Sequence, residues 1–377
     1  MHLLYVTESV PNKDPVHGDG SSAIPYEVLR NLPPDVRVDL VTFAGVAVPD
    51  DVLRRCASVQ CLPERGRRAA LAGSALTPLS VGGAARTTVR ARRAVRAASR
   101  RADVTLLHGP HVIGLVHEVS GPAVFQTVDP WSHQVTMQAA ASSGPLARYR
   151  RFQAARALEL ERRLPEHVAL LTVGRGDAEA WSRELGRPVT AVPLGTDSGG
   201  SPWAPPAGPP TVCFVGSLDY GPNVESVGAL VREIAPRIWD AAPETRFVLA
   251  GRRPVQAVAD LAGDRVEVRA NVPDVSDVFR SAHVAVFPDR SGLGMRNAVT
   301  EAVAVGIPVV ASAVAAREQP AHPLLRVAQD DEDLVRLALS ALTSTDAAVT
   351  TTGTPRTWAD VAEDHLRACE EASRRAV

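Results

Sequence analysis

Lysine is all but missing from this chain: Lys13 stands alone against 40 arginines among 377 residues. With abundant Ala, Val and Pro, that bias is the mark of a GC-rich genome, so an isolated arginine carries little functional weight. Aromatic residues make up only 4% of the sequence, which gives no stacking platform for a long polysaccharide. The four cysteines, Cys56, Cys61, Cys213 and Cys369, form no C-x-x-C pair and have no histidine cluster at ligand spacing. That argues against a zinc site and reads as free thiols in a reducing, cytoplasmic setting. No window approaches the roughly 18 apolar residues of a membrane span. The opening "MHLLYVTESV" reads as a strand and a polar loop, without the cationic lead and long apolar core of a signal peptide. A net charge of −1 gives no global reason to expect nucleic acid as a partner.

What is present, 45% apolar and 22% charged residues, describes a soluble globular protein. The length favours two domains of about 150 to 200 residues each. Short apolar runs alternate with helical patterns, the order of an α/β protein with parallel sheets. Strands are predicted at 2–6, 38–43, 104–108, 123–128 and 169–173, with helices at 21–32 and 148–164. The Pro- and Gly-dense stretch "DSGGSPWAPPAGPP" (197–210) has no periodicity and reads as a linker. A second series follows, with strands at 211–216, 246–251, 266–272, 284–288 and 308–312 and a long helix at 223–239. The Thr-rich 342–357 reads as a loop, and a last helix is predicted over 358–375. The expected organisation is a first domain at 1–197, a linker at 198–210, a second domain at 211–356 and a closing helical segment at 357–377. Two such wound domains imply a cleft between them. Arg86, Arg90, Arg93, Arg96 and Arg100 recur at helical spacing with no acid between them. The stripe reads first as a solvated helix face, with peripheral contact to an anionic membrane surface as the other reading.

The chemistry concentrates in "SGLGMRNAVTEAVAVGIPVVAS" (291–312). Gly292 and Gly294 let the backbone approach a ligand closely, and the helix that follows presents unpaired N–H groups and a positive dipole end. Together these make an anion site suited to phosphate. Glu301, about two turns in, is placed to accept from paired hydroxyls such as a ribose diol. Set amid Ala and Val, this carboxylate is expected to be buried, and an unpaired burial would cost several kcal/mol. Plain helix capping explains a glycine-rich loop about as well.

The segment resembles the nucleotide-sugar signature of the family-4 retaining glycosyltransferases, which have the GT-B fold of two Rossmann-like domains facing each other across a cleft. Glu301 matches the second acid of the family's E-x7-E pattern, and Leu293 stands where the first would be. "GMRNAVTE" is similar to the Gly-rich run of an exopolysaccharide-transferase-like branch, with Ala298 in place of that branch's lysine and Arg296 and Arg252 as substitutes. "FVGSLDYGPNVESV" (214–227), "NVPDVSDVFRSAHVAVFPDRSG" (271–292), "AVPLGTD" (191–197) and "TWADVAEDHL" (357–366) resemble further family segments. In the first half, "DPVHGDGSSAIPYEVLRNL" (14–32) resembles the family's Gly-rich loop and helix, "DVTLLHGPH" (103–111) its strand with a terminal histidine, and "TVDPWS" (127–132) its acceptor turn, with Val128 in place of a histidine.

The resemblance implies a glycosyltransferase that moves a sugar from a nucleoside diphosphate sugar to an acceptor hydroxyl, with retention and without a metal or other cofactor. Gly216, Ser217, Arg252, Val272, Gly292, Leu293, Gly294, Met295, Arg296, Asn297 and Glu301 are then the donor-binding candidates. Gly18, Asp19 and Gly20 form the acceptor and diphosphate loop, and Asp129 and His108 are the catalytic candidates. Each has a plainer explanation: His108 as a satisfied strand-end histidine, Asp129 as a cap on the turn before Pro130, Asp219 and Asn223 as caps of the next helix. His111 and His133 read as structural. The low aromatic content points to a small acceptor, such as a specialised metabolite. The alternatives are a polysaccharide or glycolipid transferase, a GT-B epimerase or phosphorylase, and a nucleotide-binding partner protein with decayed chemistry.

Overall fold

The computed structural model describes every residue except Pro15, His17, Asp19, Ala44, 198–202, Leu293, Gly294, 344–355 and 376–377. Three donor or acceptor candidates, Asp19, Leu293 and Gly294, therefore lie outside the described residues, as do parts of the expected linker and of the Thr-rich loop. The chain divides into two compact units. Residues 1–13, 17–194 and 358–377 form the first, and 195–357 form the body of the second.

The first unit carries a seven-stranded sheet: β1 (His2–Thr7), β2 (Arg37–Phe43), β3 (Ser58–Leu62), β4 (Val104–His108), β5 (Ala123–Gln126), β6 (Ala169–Thr172) and β7 (Thr190–Ala191). Its order is β3-β2-β1-β4-β5-β6-β7, and every pairing is parallel. The second carries six: β8 (Thr211–Val215), β9 (Arg246–Gly251), β10 (Val266–Ala270), β11 (Val284–Phe287), β12 (Val309–Ser312) and β13 (Leu325–Ala328). They run β10-β9-β8-β11-β12-β13, again all parallel. The central strands β1, β4, β8 and β11 are apolar along almost their whole length because helices cover both faces of such sheets.

Helix ends follow local chemistry. Ser80, Thr88 and Asp274 cap the helices they precede, each accepting a backbone N–H with its side chain. Gly186 and Gly306 close theirs in the left-handed conformation, at φ 66° and 97°. The helix expected over 223–239 is three segments: Gly221–Ala229, a π-helical turn at Leu230–Ile234, and Ala235–Ala241. Pro236 has no N–H to give to the turn before it, and the widened turn accommodates that gap.

The terminal helix Trp358–Arg375 belongs to the first unit, where it packs on β4, β5 and the helix Gly20–Asn31. The arginine stripe is split by its surroundings. Arg92 and Arg96 both pair with Glu118, Arg86 pairs with Glu64, and Arg90, Arg93 and Arg100 face solvent. Among the described residues no helix is long and apolar enough to cross a membrane.

Candidate functional site

In a doubly wound parallel sheet the ligand crevice opens at the carboxyl ends of the two strands where the order reverses. In the second unit these are β8 and β11. Gly216 and Ser217 leave β8, and Asp289 to Asn297 follow β11, so most of the donor candidates converge on one strand-end crevice.

The loop after β8 is held by the loop after β9. Gly216 N–H donates to Ala250 O at 3.0 Å, and Leu218 N–H to Arg252 O at 2.9 Å. The Arg252 guanidinium in turn donates to Ser217 Oγ at 2.7 Å, joining two of the expected donor residues. Gly251 makes this approach possible, since a Cβ there would lie 1.7 Å from Gly216 O. Val272 follows Asn271, whose N–H donates to Gly251 O at 2.7 Å.

Arg296 is not extended toward solvent. Its guanidinium pairs with the Asp289 carboxylate, donates to Asn223 Oδ1 at 3.0 Å and Val215 O at 3.3 Å, and sits 4.8 Å from the ring centres of both Phe214 and Phe287. Burial pushes the Asp289 carboxyl up and the Arg296 guanidinium down, against the attraction of the pair. Asn223 therefore does not cap its helix: its amide donates to Ser217 O at 2.9 Å and receives Arg296. Asp219 instead pairs with Arg253 at 2.8 Å.

The helix Asn297–Val305 begins beyond this anchor. Arg296 precedes it with no side-chain cap, and Gly292 lies upstream at φ 139°. The Arg296 carbonyl receives Gln319 Nε2 at 2.9 Å. Glu301 is neither fully buried nor alone, which corrects the sequence expectation. It is half-exposed, and Asn297, one turn earlier, donates to its Oε1 at 2.8 Å. Asn297 Oδ1 is buried without a protein partner. Met295 is half-buried. A cavity of about 450 Å³ opens along the flank of this unit between Val224, Gly228, Arg232 and Arg290, and none of the expected donor residues lines it.

In the first unit the reversal falls between β1 and β4. Glu8 N–H donates to His108 O at 3.1 Å, and the Glu8 carboxylate accepts His111 N–H at 2.9 Å. Gly109 has φ 104°, and a Cβ on it would lie 2.3 Å from the Glu8 carboxyl carbon, so glycine is required twice over. Sequence reasoning passed over Glu8 and Gly109, although "TES" and "HGPH" mark the two strand exits. His111 Nδ1 lies 2.8 Å from Ser80 Oγ, and its ring meets Trp131 edge-on at 5.2 Å. Burial, with the Arg86 charge nearby, brings its pKa down to about 4, so the imidazole is neutral. Gly18 is buried, and Gly20 is the first residue of the helix Gly20–Asn31.

The two catalytic candidates have different settings. His108 is fully buried, its Nδ1 3.0 Å from Gln126 Oε1, and the same amide oxygen contacts His365 Nε2 of the terminal helix. Asp129 lies at the exit of β5 and keeps some exposure. Its backbone is clamped, with Thr127 Oγ1 donating to Asp129 O at 2.6 Å and Thr172 Oγ1 to Val128 O at 2.9 Å. Capping of the helix Trp131–Ala140 falls to Glu161, which accepts Ser132 N–H at 3.0 Å, Ser132 Oγ at 2.6 Å and Trp181 Nε1 at 3.0 Å. Burial first, then the Asp177 charge, brings the Asp129 pKa up to about 7. His133, read from sequence as structural, lies 3.1 Å from Asp177 Oδ1 and 2.9 Å from Glu184 Oε2, and its pKa rises to about 9 through the hydrogen bond with Asp177. Among the described residues no group of three or more His, Cys, Asp or Glu side chains is placed to hold a metal.

Solved structures share this architecture over nearly their whole length. Anabaena HepE in complex with UDP has 13% identity and a TM-score of 0.63, over 100% of this chain and 98% of that one. The chain has the GT-B fold. An α,α-trehalose-phosphate synthase (UDP-forming) from Burkholderia xenovorans in complex with glucose-6-phosphate has 13% identity and a TM-score of 0.57, covering 98% and 96%. A putative UDP-N-acetylglucosamine 2-epimerase from Listeria monocytogenes has 13% identity and a TM-score of 0.56, covering 100% and 97%. No curated protein sequence matches. Residues 209–344 match the family described as "Glycosyl transferases group 1", a stretch that contains the whole β8–β11 crevice of this GT-B chain. Fold and family match together support glycosyltransferase activity.

Proposed function

We propose that the protein transfers a sugar from a nucleoside diphosphate sugar to an acceptor hydroxyl, with the donor on the second unit. The carrying observation is the β8–β11 crevice, where an uncapped helix start follows Gly292 and Glu301 is held by Asn297, all within the family-matched stretch. The N–H groups of that helix start bind the diphosphate, and their dipole stabilises the charge that leaves with it. Glu301 accepts from the ribose hydroxyls, with Asn297 fixing its rotamer. Gly216, Ser217 and Arg252 line the β8 side, Leu293, Gly294 and Met295 belong to the phosphate loop, and the backbone at Val272 meets the base. Arg296 acts from behind, its pair with Asp289 fixing where the loop ends and the helix begins. On the first unit, Gly18, Asp19 and Gly20 are assigned to the acceptor, Asp129 takes the acceptor's proton, and His108 acts from the core. The reading extends to retention at the anomeric carbon and to a small acceptor, on the resemblance and the low aromatic content.

The commitment of Arg296 to Asp289, with Ala298 in place of a lysine, also favours a second reading: a nucleotide-binding partner protein with decayed chemistry. Calorimetric titration with UDP, GDP, ADP and dTDP, on the wild type and on Glu301→Ala, tests the donor site. UDP is the first choice because it is what HepE holds. One nucleotide is expected to bind, and the substitution to weaken it by about 1 kcal/mol or more, the worth of a charged hydrogen bond. Binding of none of the four refutes the donor site. Binding without hydrolysis or transfer from the matching nucleotide sugar favours the decayed partner.

A further inference from the structure

The first unit holds a group of ionisable side chains brought together from three elements at the exit of β5. Asp129 leaves β5, His133 and Gln134 sit on the first turn of the helix Trp131–Ala140, and Asp177 and Glu184 come from the helix Arg175–Leu185. The His133 ring spans the last two, with Nδ1 3.1 Å from Asp177 and Nε2 2.9 Å from Glu184. Both ring nitrogens thus face carboxylate oxygens, an arrangement satisfied only when both carry protons. Asp129 stands two residues before the helix Trp131–Ala140, and Asp177, Gln134 and His133 all act on its carboxyl. Glu161, on the helix Gly144–Arg162, feels the His133 charge from below and is saturated by Ser132 and Trp181. Because Glu161 supplies the helix cap, Asp129 is left free of that duty.

We propose that Asp177, His133 and Glu184 form a positioning array that sets the protonation of Asp129, and that Asp129 so held accepts the proton of the acceptor hydroxyl. The proposal rests on the glycosyltransferase reading only in its second half. In the step, the acceptor O–H bond breaks and its proton goes to a carboxylate oxygen of Asp129. The freed electron pair on oxygen forms the bond to the anomeric carbon on the same face that the diphosphate leaves, so the configuration is retained. The bond from that carbon to the diphosphate oxygen breaks, its electrons leaving with the nucleoside diphosphate, and Asp129 later returns the proton to water. Asp177 and His133 act on Asp129 in opposite senses. The Asp177 carboxylate favours the protonated form by charge and by sharing its hydrogen, whereas the His133 imidazolium favours the carboxylate. Glu184 holds the imidazolium in its charged form. A base poised between its two forms near neutrality is what general-base transfer from a hydroxyl calls for.

The test is a pH titration of the full chain labelled with ¹³C at the aspartate carboxyls, without ligand, with Asp129→Asn giving the assignment. Asp129 is expected to titrate near 7 in the wild type. Asp177→Asn should lower that midpoint by about one pH unit and His133→Gln should raise it, shifts of the size neighbouring charges produce. Should either variant fail to fold, Asp177→Ser and His133→Asn, which also remove the charge, replace them. A wild-type midpoint near 4, or two variants shifting in the same direction, overturns the array. Turnover of UDP-glucose by the same proteins then separates the halves: its acidic limb should move with the titration. If the titration shifts appear and the limb stays fixed, Asp129 is not the base and the second half falls. If UDP-glucose and its GDP, ADP and dTDP counterparts are all inert while the shifts appear, the array stands and the transferase reading fails.

Discussion

Replacing Asp289 by alanine strands a cation inside the second unit. The Arg296 guanidinium would keep its contacts with Asn223 Oδ1 at 3.0 Å and Val215 O at 3.3 Å and its place 4.8 Å from two phenyl rings, but lose its countercharge. Removing one member of a buried pair costs about 3–5 kcal/mol, and the ring contacts, present before and after, cancel, so a loss of about 3–5 kcal/mol is expected. Ser226 also loses its 2.8 Å bond to Asp289, which works in the same direction. Replacing both partners, as Asp289→Leu with Arg296→Met, removes the charge along with its partner and should cost much less than the sum of the single changes. Urea unfolding followed by Trp239 fluorescence reads the second unit, with transitions of the two units fitted separately because two-state behaviour does not extend across both. A cost below about 1 kcal/mol for Asp289→Ala, or strict additivity in the double variant, would refute the claim that the pair is buried and coupled. UDP affinity measured alongside should fall in Asp289→Ala, since the pair fixes where the phosphate-facing helix begins.

The first unit should lose stability as pH rises. Asp129 has a folded pKa raised to about 7, so its contribution is complete below the usual carboxylate range and is lost as pH climbs through 7. His133, raised to about 9, adds stability that is complete below about 6.5 and fades as pH passes 9, worth about 1–2 kcal/mol once solvent screening is allowed for. A urea midpoint for this unit, read by Trp181, that rises between pH 6 and 9 would contradict both assignments. Gly251→Ala must displace the Gly216 carbonyl, so a stability loss of about 1–3 kcal/mol and weaker UDP binding are expected, by urea unfolding and calorimetry. Unchanged values in both would mean that the two loops do not meet as described.

The sequence made the buried half of each sheet readable and left the rims dark. β1, β4, β8, β9 and β11 are apolar runs between helical stretches, and each was expected within a residue or two of where it lies. β3 and β13 went unseen because they are outer strands: in Ser58–Leu62 only Leu62 is buried, and in Leu325–Ala328 only Ala328. β7 is two residues long, too short for any pattern. The site was readable to the same depth. Glycines, a helix start and Glu301 stood out because they are local, and the partner of Glu301 was in view too, four residues earlier at Asn297. What stayed hidden depends on side-chain direction across the fold. Arg296 folds back between Phe214 and Phe287, and His133 finds Asp177 and Glu184 some 44 and 51 residues away. Two members of the arginine stripe, Arg86 and Arg96, find counter-ions in Glu64 and Glu118, which lie beyond the helix, while Arg90, Arg93 and Arg100 face solvent.

The terminal helix has a consequence for how the molecule comes into being. Its buried side, Trp358, Val361, Ala362, His365, Cys369 and Ala372, covers β4 and β5 of the first sheet. β4 and β5 end by residue 126, yet the helix that covers them begins only at residue 358. Until that helix has been made, the nascent first unit exposes an apolar flank and the amide of Gln126 lacks one of its two imidazoles. A gene fragment stopped at residue 194 would freeze the protein at that stage. The fragment comprising 195–357, by contrast, carries a full sheet and core of its own.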